Sequence, residues 1–225
     1  MDCVRRARGT LALLCFLLAS GVSQAAPTAV EEGTRPTGGD EVSANSPRMS
    51  PEFHVNRVRT LHMVTGFARL GLIAPPASAP DTERRVFALR RDAAHKMGSR
   101  EGGFELFVFE DMALPDASGC REAVDALFFD EIDALVLDGS ACFDPARPDF
   151  KELMHLLRQR RILPLSLDNP ALAEAGALVA PWEDEQARLR TDTGQAQYIL
   201  NLGTAAALGF DPSVALLALT RRYID

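Results

Sequence analysis

Four short apolar runs, Leu70–Ala74, Leu106–Phe109, Ala134–Leu137 and Ile162–Leu167, alternate with three helix-length amphipathic segments between Ala68 and Asn169. Runs of four to six residues have the length of buried strands, and the segments between them carry helical periodicity. Parallel strands need a crossover to return to the same edge, so this alternation predicts βαβ units. The expected fold is α/β: a three-layer, Rossmann-like lobe with a mostly parallel sheet.

The helices have readable ends. Ser50 stands at an N-cap position, Pro51 at the first helical position and Glu52 beside the positive end of the dipole, with Val55, Val58 and Leu61 on the apolar face and Gly66 as the stop. In the first crossover Asp81 is the expected cap, Val86, Leu89, Ala93 and Met97 form the stripe, and Gly98 ends it. Asp116 or Ser118 opens the second, with Val124, Leu127 and Phe128 inward. Asp149 opens the third, where Phe150, Leu153, Met154 and Leu157 hold i, i+3, i+4, i+7 spacing and Arg158, Arg160 and Arg161 suit the negative end.

Beyond the fourth strand the pattern changes. Ala177–Trp182 reads as a strand. Ala187, Leu189 and Thr191 alternate, Asp192-Thr193-Gly194 forms a turn, and Tyr198, Leu200 and Leu202 alternate again, which predicts a hairpin; a helix over 183–190 fits nearly as well. Thr204–Leu208 makes a short helix stopped by Gly209. Asp211-Pro212 opens a last helix running to about Tyr223.

The amino terminus changes the setting. Arg5, Arg6 and Arg8 precede an apolar core from Leu11 to Ala19 that is too short to span a bilayer, and Ser23-Gln24-Ala25 fits small-x-small cleavage, so residues 1–25 read as a signal peptide. Residues 26–49, rich in Thr, Gly, Glu, Ser and Pro, read as a flexible leader, and residues 50–225 as the lobe. The expected location is the periplasm. The formal charge is -7, and losing three arginines and one aspartate with the signal makes it -9. An acidic chain without a basic stripe argues against nucleic acid.

Of four cysteines, Cys3 and Cys15 lie in the signal, leaving Cys120 and Cys142. Both fall at the carboxyl end of the sheet in a βαβ layout, where a disulfide closing a loop of about 22 residues would stabilise by roughly 3 kcal/mol. Two separately buried thiols are the alternative.

Ligands of open α/β sheets gather beyond the carboxyl ends of the strands. Here those ends are the loop around Ser78, Glu110-Asp111, Asp138-Gly139-Ser140 and Asp168-Asn169. Hydroxyls, amides and free helix-start N–H groups there can hold polar groups, although the same residue types also serve as turn and cap residues. No cofactor is expected. Asp111, Asp138 and Asp168 have no Lys or His partner that would mark a metal or phosphoacceptor centre. His54, His62, His95 and His155 show no HExxH-like pairing. No Gly-x-Ser-x-Gly elbow, phosphate loop or Cys-x-x-Cys occurs, so nothing points to an enzyme.

Three passages carry a resemblance. Asn56-Arg57-Val58-Arg59-Thr60-Leu61 leading to Ala68-Arg69-Leu70-Gly71-Leu72, Leu163-Pro164-Leu165 through Ala175-Gly176-Ala177-Leu178, and Ile199-Leu200-Asn201-Leu202-Gly203-Thr204-Ala205-Ala206-Ala207-Leu208-Gly209-Phe210 are similar to passages of the tryptophan/tyrosine-type substrate-binding proteins of ABC transporters. The likeness covers Glu52 to Asp225 and resembles the second lobe of a two-lobed, type I periplasmic-binding fold. It implies a non-enzymatic solute-binding module working with a membrane permease, its ligand residues carried over to Ser78, Asp138, Gly139, Ser140, Asp168 and Asn169. A second likeness, to small periplasmic repressors of membrane diguanylate cyclases, implies instead a protein–protein regulator of a membrane sensor. Such a regulator could act as a homodimer.

Overall fold

The apolar runs become the first four strands of one seven-stranded sheet in the order β2-β1-β3-β4-β5-β6-β7, with the Leu106 run at its edge. The computed structural model describes residues 49–75, 78–109, 132–182 and 196–225, which belong to one unit, Glu41–Asp225. Its elements are α1 (Pro51–Thr65), β1 (Arg69–Ile73), α2 (Asp81–Gly98), β2 (Glu105–Phe109), β3 (Ala134–Val136), α3 (Phe150–Gln159), β4 (Leu163–Leu165), α4 (Ala171–Ala175), β5 (Val179–Pro181), β6 (Tyr198–Asn201), α5 (Leu202–Leu208), α6 (Val214–Leu219) and β7 (Thr220–Ile224). A 3-10 turn, Ala141–Phe143, follows β3. Five of the six strand pairings are parallel; β5 with β6 is antiparallel, Val179 facing Leu200 and Pro181 facing Tyr198.

Strand parity splits the core between two faces. Leu70 and Leu72 of β1 and Val136 of β3 join Val58 and Leu61 of α1 and Phe87 and Ala94 of α2. Ile73, Leu135 and Leu137 instead meet the face of α3, where Phe150, Leu153, Met154 and Leu157 are all buried as their spacing requires. Each such side chain contributes roughly 1.5–3 kcal/mol on burial. The sheet between two helical faces is the α/β architecture expected, and its first five strands follow the 2-1-3-4-5 order of doubly wound sheets.

Several ends depart from expectation. Ser50 takes the N-cap backbone position, but its hydroxyl donates to Glu52 (2.9 Å) rather than capping. Asp81 is the first residue inside α2 and pairs with Arg84. Gly98 lies inside that helix, with Ser99 as its cap; the missing Cβ leaves room for the Phe104 carbonyl. Asp149 occupies its cap position and instead binds Arg147 at 3.0 Å.

The largest correction concerns the carboxyl terminus. The last helix stops at Leu219, and Thr220–Ile224 is a strand parallel to β6. A β-branched and aromatic segment beside an open strand gains a ladder that a helix could not give it. The short helix α4 was not evident from the pattern. The second crossover helix, and the first arm of the expected hairpin, lie outside the described residues. Its second arm is β6, paired with β5. Among the described residues no helix is long and apolar enough to cross a membrane.

Candidate functional site at the carboxyl edge of the sheet

The chain leaves β1 toward β2 on one side and later enters β3 on the other, so strand order reverses between β1 and β3. Loops diverge at such a switch point and leave a crevice at the carboxyl edge. The loop after β1 holds Ser78, which is exposed. The loop after β3 holds Asp138, Gly139 and Ser140, and the loop after β4 holds Asp168 and Asn169. The topology thus places all six expected residues at one edge.

The loop after β3 is built by local bonds. Leu137 N–H donates to Leu165 O at 2.9 Å, and Ser140 N–H returns to Leu137 O at 3.3 Å. Gly139 closes this turn at φ +75°, the left-handed region where a Cβ is strained, and it is exposed. Ser140 is buried and caps the 3-10 turn, its Oγ accepting from Cys142 N–H at 3.3 Å.

Beneath these loops lies a buried charged brace. Arg90 of α2 is 3% exposed, Asp138 4% and Asp168 6%. Arg90 donates through Nη1 to the Asp138 carbonyl (2.8 Å) and through Nη2 to Asp168 Oδ2 (2.9 Å). The Asp138 carboxylate accepts from Ser166 Oγ (2.7 Å), Leu167 N–H (2.6 Å) and Asp168 N–H (3.3 Å). One guanidinium and one carboxylate therefore tie α2 and the loops after β3 and β4 together. Asn169 completes the second loop, donating its N–H to Ser166 Oγ (3.0 Å) and accepting from Ala171 N–H (3.1 Å).

Electrostatics follows from this crowding. Burial, and then the charge of Asp168, push the Asp138 carboxyl up to about 7, against the pull of Arg90 and the Leu167 N–H. The arrangement can hold loops rigidly and present polar groups. Among the described residues no group of three His, Cys, Asp or Glu could hold a metal ion.

Arg90 was not among the expected site residues, yet a signal was there. It stands four residues after Val86 and three before Ala93, so a charged side chain interrupts the apolar stripe. Such a residue must be paired inside the protein. Arg57 and His54 interrupt the stripe of α1 in the same way, and both are buried. Cys142 is fully buried and disulfide-bonded. Cys120, Glu110 and Asp111 lie outside the described residues.

No protein-family model and no curated protein matches this chain. Solved structures do. The ABC domain from Streptococcus pneumonia in complex with L-Trp aligns with a TM-score of 0.55 at 13% identity, over 76% of this chain and 60% of that one. A conserved domain protein from Vibrio cholerae gives 0.54 at 13%, over 76% and 60%. The ligand-free, open structure of a substrate binding protein with adhesive properties from Clostridium difficile gives 0.52 at 14%, over 75% and 58%. The likeness is one of fold. This chain spans about 60% of the length of the structures it matches, and its α/β sheet with flanking helices is the architecture it shares with substrate-binding-protein-like molecules.

Proposed function

We propose that this protein is a non-catalytic binding module that takes a small polar solute, such as an amino acid or another organic anion, at the carboxyl edge of its sheet. It works outside the cytoplasm, after removal of residues 1–25, as a single-lobe component of an ABC-type transport or sensing system. One observation carries this reading: Arg90 and Asp138 brace the loops after β3 and β4 at the carboxyl edge of the sheet, beside its switch point, and Gly139 at that edge is exposed. The L-Trp complex of a fold neighbour supports a solute of amino-acid size.

A thermal-shift panel of amino acids and organic anions tests it. A ligand present at about 100 times its Kd stabilises by about 2.7 kcal/mol, which raises the Tm of a domain this size by roughly 5–10 °C. A flat panel at millimolar concentration overturns solute binding. Cell fractionation tests the location, and retention in the cytoplasm overturns it.

A second reading, a protein–protein regulator of a membrane sensor, is favoured by the outer face of α6. Val214 is 83% exposed there with Leu217 beside it, and Met63 of the adjoining α1 is 64% exposed. A contiguous uncovered apolar patch marks an interface, and Val214 with Leu217 one helical turn on would form its centre. An envelope pull-down that recovers a sensor ectodomain, lost on Val214→Glu, would select this reading.

A further inference from the structure

We propose that Asp138, Ser166 and Asn169 form a proton-set switch in the loop after β4. While Asp138 holds a proton, the Ser166 hydroxyl bonds the Asn169 carbonyl; once that proton leaves, the hydroxyl turns to Asp138 and releases Asn169. This device goes beyond solute binding and does not rest on it.

Ser166 has too few hydrogens for its neighbours. Its Oγ stands 2.7 Å from Asp138 Oδ1 and 2.9 Å from the Asn169 carbonyl oxygen, and it accepts the Asn169 N–H at 3.0 Å. A hydroxyl carries one hydrogen, so the two oxygens at bonding distance compete for it. Ser166 is fully buried, and solvent does not serve the loser. A carbonyl can only accept, whereas a protonated carboxyl group can donate. A proton on Asp138 Oδ1 therefore ends the competition: Asp138 donates to Ser166 Oγ, and Ser166 donates to the Asn169 carbonyl. The Ser166 oxygen then accepts from both Asp138 and the Asn169 N–H, which fills its two lone pairs.

The surroundings favour that proton. Among the described residues, the charged groups that face Asp138 are Asp168, in the same loop as Ser166, and Arg90 of α2. Arg90 bonds the Asp138 carbonyl and Asp168 Oδ2, not the Asp138 carboxyl group. One guanidinium thus stands among two buried carboxyl groups and takes Asp168 as its ion pair. Ionising Asp138 as well would leave a net negative charge where all three residues are 3–6% exposed. Burial, and then the charge of Asp168, accordingly hold the Asp138 carboxyl up at about 7. Its remaining contacts are Leu167 N–H on Oδ2 at 2.6 Å and Asp168 N–H on Oδ1 at 3.3 Å. Both are fixed donors in either state, so the rearrangement falls on Ser166.

Loss of the proton changes the loop. The Ser166 hydrogen goes to the new carboxylate, because a charged acceptor makes the stronger bond. The Asn169 carbonyl keeps only the Leu172 N–H, at 3.3 Å. Asn169 Oδ1 accepts the Ala171 N–H, so the switch reaches the first turn of α4. The proton on Asp138 thereby sets how firmly Asn169, one of the expected site residues, is held.

Carbon-13 NMR of the purified protein from about pH 5 to pH 9 reads both ends of this relay. The Asp138 carboxyl carbon and the Asn169 carbonyl carbon should titrate together, with one midpoint at about 7. In Asp138→Asn, whose amide donates at every pH, the Asn169 signal should stay flat. In Ser166→Ala, Asp138 should still titrate while Asn169 no longer follows it. An Asp138 midpoint in the ordinary carboxylate range, about 4, overturns the inference. So does an Asn169 signal that stays flat while wild-type Asp138 titrates, or one that still follows Asp138 in Ser166→Ala. Should Ser166→Ala fail to fold, the wild-type Ser166 Cβ signal decides: it titrates with the same midpoint if the hydroxyl turns, and a flat signal overturns the inference.

Discussion

Replacing Arg90 by methionine tests whether the brace organises the carboxyl edge. The substitution keeps most of the volume but removes two charge-assisted hydrogen bonds, to the Asp138 carbonyl and to Asp168 Oδ2. Both acids remain at 4–6% exposure, inside a site that has lost its guanidinium. Removing one partner of a buried ion pair costs about 3–5 kcal/mol, because the other charge stays desolvated. Domains of this kind are stable by about 5–15 kcal/mol, so Arg90→Met should still fold. With a urea m-value of about 2 kcal/mol/M, the midpoint should fall by roughly 2 M. Arg90→Lys should land between the two, since an ammonium is a point donor that cannot span both acceptors. The double variant Arg90→Met, Asp168→Asn should recover part of the loss, because a neutral amide is cheaper to bury than a carboxylate. Equilibrium urea unfolding followed by circular dichroism measures all three. A loss below about 1 kcal/mol for Arg90→Met, the range of exposed pairs, would refute the account.

Three further outcomes are expected. Asp138 has its carboxyl raised from 3.8 to about 7 on folding, so its stabilising proton is fully present below about pH 4 and lost as pH rises through 7. Wild-type stability should therefore fall by a few kcal/mol relative to Asp138→Asn between about pH 4 and pH 8; parallel pH profiles from urea melts would contradict this. Tyr198 is fully buried and its hydroxyl meets no partner in hydrogen-bond geometry, although the Thr60 hydroxyl, which donates to Asn56 O at 2.8 Å and keeps lone pairs to accept, stands near it. Tyr198→Phe should be neutral or stabilising, and a loss beyond about 1 kcal/mol in a thermal melt would reveal an acceptor there. Cys142→Ser should cost roughly 2–5 kcal/mol, and reductant should lower the wild type to the same level; melts unchanged by reductant would show that the disulfide bears no load.

Pattern alone determined most of the scaffold. The runs at Leu70, Leu106, Ala134 and Ile162 are apolar enough to be strands whatever surrounds them, and the stripe of α3 buries the four side chains its spacing selects. Left-handed stops at Gly66 and Gly209 were equally legible, because only a residue without a Cβ adopts that backbone cheaply. The loops at the carboxyl edge could be named because topology forces strand ends of one direction together.

Tertiary structure decided the rest. Thr220–Ile224 reads as the end of a helix until β6 offers it an open ladder, and pairing energy outweighs a weak local preference. Which face of α2 turns inward, and hence that Arg90 reaches both Asp138 and Asp168, depends on how that helix packs. Arg90 and Asp168 lie 78 residues apart. A charge inside an apolar stripe announces that a partner must exist, since an unpaired buried ion is too costly. Only the assembled sheet supplies that partner, because partners so distant in sequence meet only when strand order and crossover geometry bring their loops to one edge.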